Sequence, residues 1–131
     1  MIIAERPGDP RHRFGLRGEA VAEANLRQAG FEILARRFRT RAGEIDLIAR
    51  EGETLVFVEV KTRRSLEHGF PSEAVTRSKR ARLALAARAY LHLRGLYDPV
   101  CRFDVVEVVE RSGRAPEVRH LRDAFRLWPT G

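Results

Sequence analysis

The chain has 131 residues, 44% of them hydrophobic and 33% charged, which is the balance of one soluble globular domain around one core. Its 25 Lys and Arg outnumber its 18 Asp and Glu, giving a net charge of +7 and a pI near 10.8. That excess favours phosphate-rich partners and makes nucleic acid the first partner class to consider. No apolar run approaches the roughly 20 residues of a membrane span, and "MIIAERPGDPRHRF" lacks the apolar stretch of a signal peptide. A single cysteine, Cys101, excludes an internal disulfide and argues against a Cys-based zinc site, so a reducing, cytoplasmic compartment is expected.

Residues 1–13, with Pro7, Gly8, Asp9 and Pro10, read as a flexible N-terminal arm. A helix is predicted over Gly15–Ala29, with Leu16, Ala20, Val21 and Ala24 as its apolar face and Gly30 as its stop. Phe31–Phe38 reads as a strand in which Phe31, Ile33 and Ala35 alternate. "RTRAG" then turns the chain into a second strand, Glu44–Arg50, and a third follows over Thr54–Thr62. "RRSLEHGFPS" reads as a loop. The next helix runs over Arg77–Arg94, capped by Thr76 and stopped at Gly95, with Leu83, Ala84, Ala87, Tyr90 and Leu91 facing inward. "RFDVVEVV" is a mostly covered fourth strand, "ERSGRAPE" a turn and Glu117–Leu121 a last strand. "FRLWPTG" is a tail, so the domain proper is 14–125 and the tail 126–131. The order is α-β-β-β-α-β-β. The crossover helix after the third strand requires a parallel pairing, so a layered sheet-and-helix α/β fold is expected.

Within "EIDLIAREGETLVFVEVK", Asp46, Glu59 and Lys61 interrupt segments otherwise fit for burial. A buried acid costs free energy unless something compensates it. With Glu51-Gly52 as a two-residue turn, Asp46 falls opposite Phe57 and Glu44 opposite Glu59. Glu44, Asp46, Glu59 and Lys61 then share one face, and Asp46 and Glu59 become diagonal neighbours roughly 7–8 Å apart at the backbone. The face begins apolar at Leu55 and Phe57 and turns charged at its far end, as where a helix gives way to a cleft. A solvated face with a weak Glu59–Lys61 contact is the plain alternative. Two carboxylates converging on one ion suit Mg²⁺ or Mn²⁺ better than zinc. Such an ion could polarise a phosphoryl oxygen. Lys61 could reach the same phosphate to orient water or stabilise charge.

"GEIDLIAREGETLVFVEVKTRR" is similar to the signature of the YraN-like family of small bacterial proteins, which resembles Holliday-junction resolvases and the wider PD-(D/E)xK nucleases. "GLRGEAVAEANLRQAGFEILARRFR", "AVTRSKRARL" and "RFDVVEV" also look like family segments, so the likeness spans nearly the whole chain. The ExK element is Glu59-Val60-Lys61. Asp46 stands at the motif's Asp, with Ile45 where the nominal Pro would be, and Glu19 corresponds best to a helix-borne glutamate of the resolvases. The resemblance implies a single restriction-endonuclease-like domain, a mixed sheet flanked by helices. It also implies metal-dependent hydrolysis of DNA phosphodiester bonds, with branched or structured DNA as one substrate class. Asp46, Glu59, the Val60 carbonyl and Glu19 would bind Mg²⁺ or its water, and Lys61 would act at the phosphate. Resolvase-like enzymes often work as dimers, which makes a homodimer one expectation, although no self-association stripe is visible.

Arg77, Lys79, Arg80 and Arg82 load the first turns of the second helix, where cations oppose the helix dipole. With Arg63 and Arg64 they are expected to form a basic rim for the nucleic-acid backbone. The basic residues are 23 Arg and only 2 Lys, Lys61 and Lys79, and these exceptions raise a question of their own. His12, His68, His92 and His120 show no metal-ligand spacing. Cys101 reads as core, Asp104 as a polar group at the edge of the core, and Trp128 as a packing anchor. Two other functions stay open: a non-catalytic nucleic-acid-binding protein with a nuclease-like fold, and an assembly partner whose basic face meets an acidic protein.

Overall fold

The computed structural model describes residues 10–64 and 76–126, with side chains from Arg17 onward. The elements follow the expected order: α1 (Pro10–Gln28), β1 (Glu32–Arg39), β2 (Glu44–Glu51), β3 (Thr54–Arg63), α2 (Arg77–Leu93), β4 (Cys101–Arg111) and β5 (Arg114–Phe125). One five-stranded sheet runs β1-β2-β3-β4-β5. Its pairings are antiparallel except β3 with β4, which the crossover through α2 makes parallel.

The helices serve two apolar clusters. Leu83, Ala86, Ala87 and Tyr90 of α2 cover Ile45, Ile48, Leu55, Phe57, Phe103 and Val105, with Phe125 closing the cluster. Ala22 and Leu26 of α1 cover Leu47, Ala49, Val56, Val58, Val106 and Val108. Aromatic edges lock the first cluster: Tyr90 meets Phe38 and Phe57 edge-on at 5.3 and 6.2 Å, and Phe103 stacks on Phe125 at 4.4 Å. Each such side chain, fully buried, contributes roughly 1.5–3 kcal/mol.

Several expectations shift by a turn or a face. α1 begins at Pro10, so residues 10–13 belong to the helix and not to the arm. Its buried line is Gly18, Ala22 and Leu26, whereas Ala20 and Ala24 are exposed. Alanine spacing was a poor guide there because Gly18 sets the approach: a Cβ on Gly18 would stand 2.2 Å from the Thr62 hydroxyl of β3. Ala35 leaves the face of Phe31 and Ile33, since a register shift between Ile33 and Ala35 turns it toward α2. β4 and β5 are longer than predicted, because the chain reverses in two residues at Ser112-Gly113 and Arg111 already pairs with Arg114. Phe125, expected to open the tail, is the buried last residue of β5. The rest of the arm, most of "RRSLEHGFPS" with His68, and the tail with Trp128 lie outside the described residues. The limits of α2 hold closely: the Thr76 hydroxyl accepts the Lys79 N–H at 3.2 Å, and Gly95 takes φ +65 just past the C-cap at Arg94, but Ala86 and not Ala84 is buried with Leu83, Ala87 and Tyr90.

At the other end of the sheet, Asp104 is fully buried and fully engaged. It accepts Arg102 Nε at 2.9 Å and the Asp123 N–H at 2.9 Å, and its Oδ2 lies 2.8 Å from His120 Nε2. Burial would raise its pKa, but the bonds from His120, Arg102 and Asp123 outweigh burial and hold the carboxyl below its ordinary range. Arg102 and Arg122 also share Glu51 and flank the Phe31 ring. Cys101 packs against the α2 cluster, and burial pushes its thiol pKa up, which fits core and not nucleophile.

Gly18→Ala is expected to force α1 away from β3 and cost about 1–3 kcal/mol, read as a lower midpoint in urea. Adding Thr62→Ala should recover part of that loss. An unchanged midpoint for Gly18→Ala alone would mean that the approach to Thr62 does not set the helix position.

Candidate functional site

The β2–β3 hairpin places the acids. Its turn residues are Gly52-Glu53, not Glu51-Gly52, with Gly52 at φ +60, so Glu51 pairs with Thr54 and Leu47 with Val58. This register differs from the expected one by two residues, which leaves every side chain on its expected face. The consequence is a closer pair. One more step would set Asp46 directly opposite Glu59 and not diagonal to it. There the backbone ladder gives way, and Asp46 Oδ2 accepts the Val60 N–H at 2.8 Å.

Glu44, Asp46 and Glu59 line a cleft of about 270 Å³ with Gly43 from the β1–β2 turn and Lys79, Arg82 and Leu83 from α2. Thr40 ties that turn down: its hydroxyl accepts the N–H groups of Ala42 and Gly43 at 3.1 Å. Gly43 allows a close approach, since a Cβ there would lie 3.1 Å from the Arg82 carbonyl oxygen, tighter than most Cβ contacts. Glu59 is only 5% exposed, which rules out the plain reading of a solvated face. Both scarce lysines meet on its Oε1, Lys79 Nζ at 2.5 Å and Lys61 Nζ at 3.4 Å.

Burial first, then the charge of Glu59, with smaller effects of Glu19 and Glu44, raises the Asp46 pKa well above the usual carboxylate range, against the Val60 N–H that lowers it. Burial and the adjoining Lys79 hold Lys61 below the usual lysine range despite Glu59. Burial would depress Lys79 too, but its bonds to Glu59 and Lys61 and the charges of Glu59 and Asp46 prevail and raise it.

The remaining expected site residues, and Glu44 of the same charged face, divide. Glu19 lies near enough to act on Asp46, but its carboxylate accepts Arg37 Nε at 2.9 Å. Glu44 pairs with Arg39 at 3.0 Å. The half-buried Val60 contributes its N–H to Asp46. Of the expected rim, Arg64, Arg77 and Arg82 are exposed. Lys79 turns into the cleft, Arg63 turns inward to the buried Glu107 at 3.4 Å, and the Arg80 guanidinium lies 4.8 Å over the Phe125 ring. These three depart from a rim role because an unpaired acid or an aromatic face beneath them attracts the cation more than open solvent does. Among the described residues, no group of three or more His, Cys, Asp or Glu side chains converges as a ready metal cage.

Sequence reasoning missed the inward turn of Lys79, although its rarity as a lysine was the available signal. It also missed Glu107, fully buried with neither carboxylate oxygen hydrogen-bonded, which an acid inside "DVVEVV" could have flagged. Nothing in the sequence pairs Arg37 with Glu19 or Arg39 with Glu44. That requires the β1–β2 pairing and the α1 approach.

These features define a class: a small α/β domain whose mixed sheet carries a buried carboxylate pair and two lysines in a cleft beside its crossover helix. The chain belongs to the uncharacterised protein family UPF0102, whose model matches residues 18–108, and the YraN-like resemblance is borne out. It is 46% identical over 113 residues to a UPF0102 protein of Geobacter sulfurreducens, covering 86% of this chain and 88% of the relative. It is 50% identical over 111 residues to one of Rhodococcus jostii (85% and 94%) and 50% identical over 113 residues to one of Symbiobacterium thermophilum (86% and 96%).

The raised Asp46 carboxyl makes a stability prediction. Its folded pKa lies above the unfolded value of about 3.9, so the fold favours the neutral acid and loses stability as pH rises through that window. Asp46→Asn removes the charge. In chelator-treated protein it should melt a few degrees above wild type at pH 7–8, with the gap closing near pH 4. A lower melting temperature for Asp46→Asn at pH 8 would contradict a destabilising ionised Asp46.

Proposed function

We propose that the protein is a metal-dependent endonuclease-like hydrolase of DNA phosphodiester bonds, acting on branched or otherwise structured DNA, in a cytoplasmic setting. The observation that carries this reading is the Asp46–Glu59 carboxylate pair held against two lysines in a cleft at the end of an apolar sheet face. Burial and the charge of Glu59 hold the Asp46 carboxyl above its usual range, and a perturbed acid in a cleft marks a candidate functional site.

The donor chemistry fits a hard divalent ion. Mg²⁺ is commonly held by one or two carboxylates, with waters and substrate phosphates completing its shell, and Asp46 and Glu59 supply those two. The Val60 carbonyl, and Glu19 through a bound water, are the further candidates. The ion would supply Lewis-acid charge to a phosphoryl oxygen and to water. Lys61, beside Glu59, would orient that water or stabilise the charge that develops on the attacked phosphate. Arg64, Arg77 and Arg82 are exposed and would take the backbone phosphates on either side.

A second reading has its own support. Glu59 is already ion-paired with Lys79 and Lys61, an arrangement that also suits a nucleic-acid-binding protein that keeps the nuclease-like fold without catalysis.

A Mg²⁺- or Mn²⁺-dependent cleavage panel over duplex, junction, flap and single-stranded DNA separates the two. On the substrate it identifies, Lys61→Arg should keep the fold but lose at least ~10²-fold in single-turnover cleavage, because a wide planar fork cannot take the place of a compact ammonium. Metal-dependent cutting that Lys61→Arg performs at the wild-type rate would reduce Lys61 to a bare charge.

Arg77→Ala with Arg82→Ala should weaken DNA binding across sequences and flatten its salt dependence, by about one unit of log–log slope for each phosphate no longer neutralised. A slope identical to wild type would locate the DNA elsewhere.

A further inference from the structure

The acids around the cleft are already matched with cations drawn from other parts of the chain. Glu19 of α1 holds Arg37 of β1, Glu44 of β2 holds Arg39 of β1, and Glu59 of β3 holds Lys79 of α2 and Lys61 of its own strand. Among the described acids that line or face the cleft, Asp46 alone takes a backbone N–H in place of a side-chain cation.

Lys79 is the partner whose position its own helix does not favour. It sits in the first turn of α2, where a cation opposes the helix dipole, and its N–H is already satisfied by the Thr76 cap. Its side chain could reach solvent as those of Arg77 and Arg82 do, yet it lies against the less accessible carboxylate. It is also one of only two lysines among 25 basic residues. A lysine presents a compact ammonium on a flexible stem, a charge that can sit on one oxygen and swing away. An arginine fork would bind more rigidly.

Resting on the reading of the cleft as a divalent-ion site, we propose that Lys79 is the resident counter-ion of that site, bound to Glu59 in the free protein and displaced when a divalent cation and a DNA phosphate enter together. The two binding events are then coupled. The ion needs the oxygen that Lys79 covers, and a phosphate gives the released ammonium a new partner. Each ligand removes an obstacle to the other, and by linkage the gain is reciprocal. The free protein therefore binds a divalent ion weakly by construction.

The test is calorimetric titration of chelator-treated full-length protein with Mn²⁺, with and without a double-stranded DNA oligonucleotide, for wild type, Lys79→Met and Lys79→Arg. Lys79→Met keeps the stem and removes the charge, and Lys79→Gln serves the same purpose if the methionine variant does not fold. Lys79→Met is expected to bind Mn²⁺ alone at least ~5-fold more tightly than wild type, within the usual range of site-to-site coupling. DNA should raise Mn²⁺ affinity in wild type and much less in Lys79→Met, while Lys79→Arg stays weak without DNA. Equal or weaker Mn²⁺ binding by the uncharged variant overturns the counter-ion role while leaving the metal site standing. If neither wild type nor variant binds Mn²⁺ with or without DNA, the metal site falls and this role with it.

Discussion

The Glu59 carboxylate is the constraint around which this protein is organised. It stands where the apolar face of β3 ends, nearly inaccessible to water, and a buried charge of that kind is tolerated only with partners at hand. Its partners arrive by three separate pieces of packing. The Gly52-Glu53 turn fixes the register that brings Asp46 level with it. The close approach of Gly43 to the Arg82 carbonyl seats the first turns of α2 beside the strand, so that Lys79 reaches the acid. The contact of Gly18 with Thr62 brings α1, and Glu19 with it, down on the other side. The first two shape the cleft itself, and the third places Glu19 near enough to act on Asp46.

The buried acids of this sheet are treated in two ways, and the contrast separates support from function. Asp104 is surrounded by donors, and its carboxyl is held below the ordinary range, so its ionised form stabilises the fold. Asp46 is held above the ordinary range by burial and by Glu59, so its ionised form works against the fold. Glu107 is fully buried with an ion pair to Arg63 and no hydrogen bond to either oxygen. Asp104 belongs to a completed network. Asp46 on β2 and Glu107 on β4 flank β3 beside Val60 and Lys61.

The choice of cation follows the same division. Wherever a planar fork can bind two oxygens or lie on a ring, the chain uses arginine: Arg36 on Glu23, Arg102 on Asp104, Arg122 on Glu51 and Phe31. Lysine appears only at positions 61 and 79, and both converge on one oxygen of Glu59. Two ammonium groups against one carboxylate is a crowded arrangement: burial and then the adjoining Lys79 depress the pKa of Lys61, while the bonds to Glu59 and Lys61 raise that of Lys79.

The order of elements, the crossover that makes β3 and β4 parallel, the limits of α2 and the common face of Asp46, Glu59 and Lys61 were all legible in the sequence. Each follows from a local rule: a period of 2 or 3.6, a cap at Thr76, a turn at Gly52. Parity survived even a turn misplaced by one residue, because the resulting shift of two returns each side chain to its face. What the sequence left open depends on approach distance and competition between partners. The buried face of α1 is set by the absence of a Cβ at Gly18, which no hydrophobic periodicity reports. The β1 bulge reassigns Ala35. Arg63, Lys79 and Arg80 read as a solvent-facing rim because charge alone cannot say which cation will find an acid or a ring beneath it. Tertiary structure decided that, since burial makes an acid without a cation far more costly than a cation left in water.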